Sequence, residues 1–409
     1  MHRGAMSEET DKKEILNINP SLLKWAREQA FLSIEDVVQL LKITPQRATK
    51  NKPLITPEKK LELLESGVVY PSLSLLKELA KLYQRPLMTF FLPKPPRMVD
   101  VLVDFRTIGS VTHQHDTPAF AKLKRRLINL QTGLSNIAQS SGKKTLDLIG
   151  CTTVSDDILH LINEIRQKIN LSFSEQCKAK NEDDLFRIIR EKIQQIGIYV
   201  ILEGDLGSYH TRIEPEEFRG MTITDKYAPL IVINSKDTKP AKLFSLLHEF
   251  AHILLGESSI SNVSINDNLI TPEETFCNRF AAEFLLPQDE FEQRIPNNIK
   301  SKTITETMFI LSNISKLFKV SLTAVARRAY DLGKINHNVY NEIFSIIKKS
   351  FKHDKKENIQ ISKNKIDKYR LGNVLPTVIE ASENGYISLR DASQLLNLHH
   401  SRFDKVLMA

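Results

Sequence analysis

The segment from Leu243 to Gly256 contains two histidines four residues apart, with a glutamate directly after the first. Residues i and i+4 lie on one face of an α-helix, so His248 and His252 can bind a single metal ion. Glu249 then stands beside the open coordination position, where a carboxylate can act as general base toward a water molecule. This H-E-x-x-H spacing is typical of zinc-dependent peptide hydrolysis.

The predicted helix around this motif is apolar on nearly every side, which indicates that it is buried in a core. Buried His and Glu side chains need partners, because burying an unpaired polar group is unfavourable. The alternative interpretation is a core helix with hydrogen-bonded histidines, or a former metal site that has lost its ion. The apolar residues are Leu243, Phe244, Leu246, Leu247, Phe250, Ala251, Ile253, Leu254 and Leu255.

A third protein ligand is expected on a second helix. A further histidine in an extended form of the motif is excluded, because Leu255 and Ser258 stand where a Gly and a His would be required. The segment from Thr271 to Pro287 predicts a helix with a capping residue, a proline in the first turn and a proline stop. On this helix, Glu274 is the predicted third ligand.

Asn278 follows Glu274 by one helical turn and is predicted to orient a ligating histidine. Two other glutamates on the same helix are the alternative ligands. Glu273 is better explained as a solvated acid of the first turn, and Glu283 as a buried structural acid.

Both helices resemble the ImmA/IrrE family of bacterial metallopeptidases, on the segments 248–252 and 274–287. Residues 217–220 and 224–234 resemble the strands that lead into the zinc helix of that family. The likeness is close over roughly residues 185–290 and weaker toward both ends. It implies a zincin-like fold, a bound Zn²⁺, and cleavage of a transcriptional repressor in response to stress, mobile elements or phage.

The predicted fold class is α+β and mostly helical. It combines an N-terminal helix-turn-helix bundle, a zincin-like metallopeptidase core with a small, three-stranded antiparallel sheet, and a C-terminal helical domain. The C-terminal domain either contacts DNA or docks on the peptidase. The predicted segments are a charged tail with a vector-derived start (1–16), the helix-turn-helix domain (17–100), a helical connector (101–180), the metallopeptidase domain (181–332), and a linker with a helix-turn-helix-like end (333–409).

Three features next to the metal motif suggest how a substrate is held. An exposed strand of the sheet can pair with the main chain of an extended peptide. Tyr227, between two of the strands, is a candidate oxyanion stabiliser, with packing against the sheet as the alternative. The polar segment from Ser258 to Leu269 is expected to form a rim or a lid.

The N-terminal helices resemble a helix-turn-helix of the phage-repressor type, which predicts DNA as a partner. The turn before the presumed recognition helix at Thr56 is longer than usual, which argues against sequence-specific readout. The basic residues in and after this turn suit phosphate contacts, with a solvated surface in a protein-contact module as the alternative. They are Arg47, Lys50, Lys52, Lys59 and Lys60.

The composition predicts an ordinary globular chain, with 41% hydrophobic residues and a formal net charge of +8 that permits nucleic-acid binding. No apolar run approaches the ~18 residues of a membrane span, and no signal peptide is recognisable, so a cytoplasmic location is expected. The three cysteines have no paired spacing, which fits a reducing compartment.

A second hypothesis is a DNA-binding regulator that uses the zincin fold as a sensor or interaction domain and cleaves nothing. The intact motif argues against it, because a protein that only binds has no need of Glu249.

Overall fold

A computed structural model describes residues 18–29, 32–43, 55–83, 85, 87–95, 117–206, 212–261, 271–350 and 368–398. The described residues form two compact units. The first takes in residues 18–95 and 117–124, and the second takes in residues 125–398. The finer division into five segments stays a prediction.

The described part of the first unit is helical. Arg27 and Glu65 join its first and third helices by an ion pair, with Nε 2.6 Å from Oε1. Its core is formed mainly by leucines, together with Ile18, Ala26, Val37, Ala80, Tyr83 and Phe90. The elements are α1 (Pro20–Gln29), α2 (Ile34–Leu41), α3 (Pro57–Glu65), α4 (Leu73–Leu82) and a 3-10 turn (Leu87–Phe91).

Helices α2, α3 and α4 begin where short polar side chains can cap them. The side-chain oxygens of Ser33, Thr56 and Ser72 each accept the backbone N–H three residues further on. The start of α3 after Thr56 agrees with the helix expected there. The assignment of the unit as a phage-repressor helix-turn-helix stays a prediction.

The second unit begins within a long helix and continues through three shorter ones to the sheet. Asp157, Ser172 and Asn181 cap the three shorter helices. The four are α5 (Pro118–Ser140), α6 (Ile158–Lys168), α7 (Phe173–Lys178) and α8 (Glu182–Gln195).

The sheet has four described strands in the order β1-β3-β2-β4, so the prediction of three antiparallel strands is wrong in its details. β1 is parallel to β3, while β2 is antiparallel to both β3 and β4. The chain leaves β1 at one end of the sheet and enters β2 two strand positions away. β2 and β3 form a hairpin, which places β3 between β2 and β1. The strands are β1 (Tyr199–Glu203), β2 (Gly220–Ile223), β3 (Leu230–Asn234) and β4 (Ser259–Ser261).

β4 belongs to the polar segment that was expected to be a rim or lid. The segment starts as an edge strand on β2, and residues 262–270 lie outside the described residues. The sequence gives little sign of this strand, because three residues of Ser and Ile have no measurable period.

Helices α9 (Lys239–Leu255) and α10 (Pro272–Leu285) pack against each other, and α9 also packs on the sheet and on α8. Gly256 ends α9 with a φ of 79°, the left-handed conformation that favours glycine. Thr271 caps α10 by accepting the N–H of Glu274. The α+β, mostly helical class is therefore as predicted, with the two motif-bearing helices in its core.

The remaining helices complete the core and the C-terminal end. None of the described helices is long and apolar enough to cross a membrane by itself. The helices Ile304–Phe318 and Leu322–Asp331 reach such a length and hydropathy only together, and the chain bends by 110° between them. These helices are α11 (Gln288–Glu292), α12 (Ile304–Phe318), α13 (Leu322–Asp331), α14 (His337–Ser350), α15 (Val374–Glu383) and α16 (Leu389–Leu396), with a 3-10 turn at Ile299–Ser301.

The C-terminal residues 368–398 dock on the outer edge of β1. The side chain of Asn373 accepts the N–H of Val200 at 3.3 Å and donates to the carbonyl of Ile198 at 2.8 Å. Arg370 forms an ion pair with buried Glu203 at the end of β1. An unpaired strand edge is prone to pairing with another chain. These contacts cover the outer edge of β1.

Candidate metal centre

Two histidines on adjacent turns of α9 face one glutamate on α10. The Nε2 atoms of His248 and His252 are 3.2 Å apart. Oε2 of Glu274 lies 3.2 Å from Nε2 of His248, and Oε1 lies 3.3 Å from Nε2 of His252. A tetrahedral zinc ion with bonds of about 2.0–2.1 Å holds its ligands about 3.3 Å apart. The three donor groups therefore have the spacing that zinc requires.

The electrostatics of this cluster favour a cation at its centre. Burial opposes a charge on His248, but the hydrogen bond to Glu274 and the charges of Glu249 and Glu274 raise the pKa of His248 above its ordinary value. Burial also opposes the charge of Glu274, yet the contacts with the two histidines hold the pKa of this carboxyl well below its usual range. In both cases the neighbouring groups outweigh the effect of burial.

Asn278 lies within hydrogen-bonding distance of one histidine. Its Oδ1 is 3.1 Å from Nδ1 of His248, and an acceptor at this place favours the tautomer with the proton on Nδ1. The orienting role of Asn278 stays a prediction. Both histidines are buried, whereas the side chain of Glu274 is 34% exposed. Solvent therefore reaches the cluster from the side of Glu274.

The alternative ligands lie apart from this cluster. Among the described residues, the group of His, Cys, Asp and Glu that could bind a metal comprises only the two histidines and Glu274. Glu283 is buried, pairs with Arg328 and accepts the backbone N–H of Gln288 at 2.7 Å. Glu283 is therefore a structural acid. Cys277 is fully buried, and burial raises the pKa of its thiol well above the ordinary value.

Glu249 is fully buried beside the sheet. Its Oε2 accepts the hydroxyl of Thr222 at 2.8 Å and that of Ser259 at 2.9 Å. Its Oε1 has no hydrogen-bond partner among the described residues. A side chain at Gly220 would meet Oε1, since a Cβ built there lies 2.4 Å from it.

These three small residues around Glu249 are not among the residues predicted from the sequence. A Gly and a Thr two apart on one strand share a face, which is a weak signal for Gly220 and Thr222. Nothing in the sequence points to Ser259, because its role depends on the pairing of β4 with β2.

Tyr227 lies in the turn between β2 and β3 and is half-buried. Its backbone N–H donates to Oδ1 of Asp225 at 2.9 Å, in a turn closed by this aspartate. The turn follows the end of β2 opposite to Gly220. The oxyanion role of Tyr227 stays a prediction.

The predicted DNA contacts are described only in part. Arg47, Lys50 and Lys52 lie outside the described residues. Lys59 and Lys60 are on α3, where the exposed Lys59 forms an ion pair with Glu62 at 2.8 Å. DNA binding by these residues stays a prediction.

Comparison with known proteins points to the same region as the geometry. Residues 194–330 match the family described as the IrrE N-terminal-like domain, Peptidase_M78. The matched region contains the sheet together with α9 and α10, and thus the whole cluster. A search of curated proteins finds no significant match to the chain. The second unit thus contains a domain similar to the metallopeptidases of this family.

Proposed function

We propose that this protein is a zinc-dependent endopeptidase that cleaves a transcriptional repressor or another regulatory protein in a bacterial stress, mobile-element or phage response. The main support is the triangle of His248, His252 and Glu274, whose donor atoms are 3.2 to 3.3 Å apart. The buried Glu249 next to this triangle supports hydrolysis over simple metal storage.

His248, His252 and Glu274 hold the zinc ion in this proposal, and Asn278 keeps Nε2 of His248 free to bind it. A bound zinc ion supplies a more acidic water molecule and polarises the scissile carbonyl. Glu249 removes a proton from the attacking water and later donates it to the leaving amine.

The strand edge at β4 suits the binding of an extended peptide. Among the described strands, β4 lies at the end of the sheet, and it contacts α9, which bears the motif. The opposite edge at β1 is covered by Asn373. A substrate segment paired with β4 through main-chain hydrogen bonds would lie beside the metal triangle, independently of its side chains.

Glu249→Gln tests the proposal. The zinc-loaded protein is incubated with a library of unstructured peptides, and new termini are identified by mass spectrometry. We expect cleavage by the wild type, and in the variant full zinc content with loss of cleavage of about 10²-fold or more. Glu257→Gln, which changes a half-buried glutamate after the same helix, is the control and should cleave normally.

Unchanged cleavage or signalling in Glu249→Gln would contradict the enzymatic function. The same result would favour the alternative, a DNA-binding regulator in which the zincin domain serves as a sensor or interaction domain.

A further inference from the structure

Three small residues of the sheet surround the carboxylate of Glu249. Thr222 and Ser259 donate their hydroxyls to Oε2, at 2.8 and 2.9 Å. Both residues are almost fully buried, with exposed fractions of 0% and 1%. A buried charge needs such donors, and a hydrogen bond to a carboxylate is among the stronger ones in proteins.

Strand register explains why the two hydroxyls meet at one atom. Thr222 of β2 lies directly opposite Ser259 of β4 in their antiparallel pair. Directly opposite residues project from the same face, with Cβ atoms about 4.5–5.5 Å apart. Oε2 has two lone pairs on a deprotonated carboxylate, so two hydroxyls can occupy them both.

Thr222 has a second acceptor within reach, since its Oγ1 also lies 3.0 Å from the backbone oxygen of Glu249. A threonine hydroxyl has one proton to donate. The carboxylate is the stronger acceptor because it is charged.

Gly220 provides the space for the other carboxylate oxygen. It precedes Thr222 by two residues and so projects to the same face of β2. A Cβ at this position would lie 2.4 Å from Oε1 and 2.6 Å from Cγ of Glu249. The absent side chain therefore lets the carboxylate sit against the strand with Oε1 free of protein partners among the described residues.

We propose that Thr222 and Ser259 are positioning residues that hold Oε2 of Glu249, so that Oε1 is the oxygen left to exchange the proton of the attacking water. This inference rests on the proposed peptidase function. The two hydroxyls prevent rotation of the carboxylate and occupy one of its oxygens. They thereby set which oxygen of Glu249 takes part in proton transfer.

The kinetic test uses Thr222→Val, which keeps the shape and removes the hydroxyl, and Thr222→Ser, which keeps the hydroxyl. We expect kcat on a cleaved library peptide to fall about 10- to 100-fold in Thr222→Val, as for a misplaced catalytic group. KM and zinc content should stay unchanged, and Thr222→Ser should restore most of kcat. A kcat in Thr222→Val equal to that of the wild type would overturn the proposal.

The same comparison applies to the strand β4. Ser259→Ala should lower kcat in the manner of Thr222→Val. Ser258→Ala is the matched control, because the hydroxyl of Ser258 binds the N–H of Thr224 and does not donate to Glu249. Equal losses in Ser259→Ala and Ser258→Ala would indicate a merely structural effect and overturn the proposal.

A stability measurement tests the contact without any activity. Removing the Thr222 hydroxyl leaves a buried carboxylate short of a donor, so Thr222→Val should lower the melting temperature when Glu249 is present. In a Glu249→Ala background the same substitution should have little effect. Equal shifts in both backgrounds would mean that the hydroxyl does not hold the carboxylate.

These two readouts separate the failure of the inference from the failure of the proposed function. A wild type that binds zinc but cleaves no peptide contradicts the peptidase function, and with it the catalytic purpose of the hydroxyls. Only the positioning role is contradicted if the wild type cleaves normally, Thr222→Val has the same kcat, and this substitution shifts the melting temperature equally with and without Glu249.

Discussion

Nδ1 of His248 lies 3.1 Å from the amide oxygen of Asn278, on the helix that also carries Glu274. One helix therefore carries both a predicted ligand and the group predicted to orient another predicted ligand. A shift of α10 would move both contributions together, so the packing of α10 against α9 determines the geometry of the whole cluster.

Removing this amide should weaken zinc binding. In Asn278→Ala the His248 ring loses the acceptor that fixes its tautomer, and we expect a loss in zinc affinity of about 10- to 100-fold. Competition with a metal chelator measures the effect. Arg279→Ala, an exposed neighbour on α10, is the control, and equal affinities of the two variants would refute the orienting role.

Glu283 should contribute to the stability of the fold and not to zinc binding. Its partner Arg328 is also shielded, with exposed side-chain fractions of 12% for Arg328 and 11% for Glu283. Loss of one member of such a pair leaves the other charge unpaired, so Glu283→Ala should cost roughly 3 kcal/mol of unfolding free energy.

Urea unfolding measures this loss, and metal analysis should find the zinc content unchanged. The double variant Glu283→Leu with Arg328→Met should recover most of the stability, because it leaves no unpaired charge. Loss of zinc from Glu283→Ala would instead indicate that this glutamate takes part in the metal site.

The C-terminal segment should stabilise the sheet through Asn373. Asn373→Ala leaves the N–H of Val200 and the carbonyl of Ile198 without this partner, which we expect to cost about 1–3 kcal/mol. The unfolding free energy is compared with that of Asn384→Ala, an exposed asparagine on the same segment. Equal unfolding free energies of the two variants would mean that the contacts of Asn373 do not stabilise the edge of β1.

DNA binding by the first unit predicts a defined salt dependence. Lys50→Gln, Lys52→Gln and Lys59→Gln together should weaken retention on DNA and reduce the slope of log affinity against log salt by about 0.9 for each lost phosphate contact. The matched control is a triple variant of exposed lysines in the second unit, Lys178→Gln, Lys180→Gln and Lys316→Gln. An unchanged slope in the variant of Lys50, Lys52 and Lys59 would mean that the first unit does not contribute to DNA binding.

The sequence was informative where the structure depends on local periodicity. His248 and His252 converge because helical geometry alone sets their spacing, and Glu274 and Asn278 follow from the same period on a capped helix. These four side chains could be predicted together from two segments of the chain.

Features that depend on strand order could not be predicted from local periodicity. Thr222 and Ser259 are 37 positions apart in the sequence, and only the register of β2 and β4 brings both of them to Glu249. The parallel alignment of β1 with β3 and the docking of Asn373 on β1 also arise from tertiary contacts. None of these contacts leaves a periodic signal in the local sequence.

The most direct measurement is the zinc content per chain after purification without added metal, for the wild type, Glu274→Ala and Glu273→Ala. We predict close to one zinc ion per chain in the wild type, a large loss in Glu274→Ala, and no change in Glu273→Ala, because only Glu274 faces the two histidines. A wild type without zinc even after metal is added back, or a Glu274→Ala variant that retains it fully, would contradict the three-ligand site.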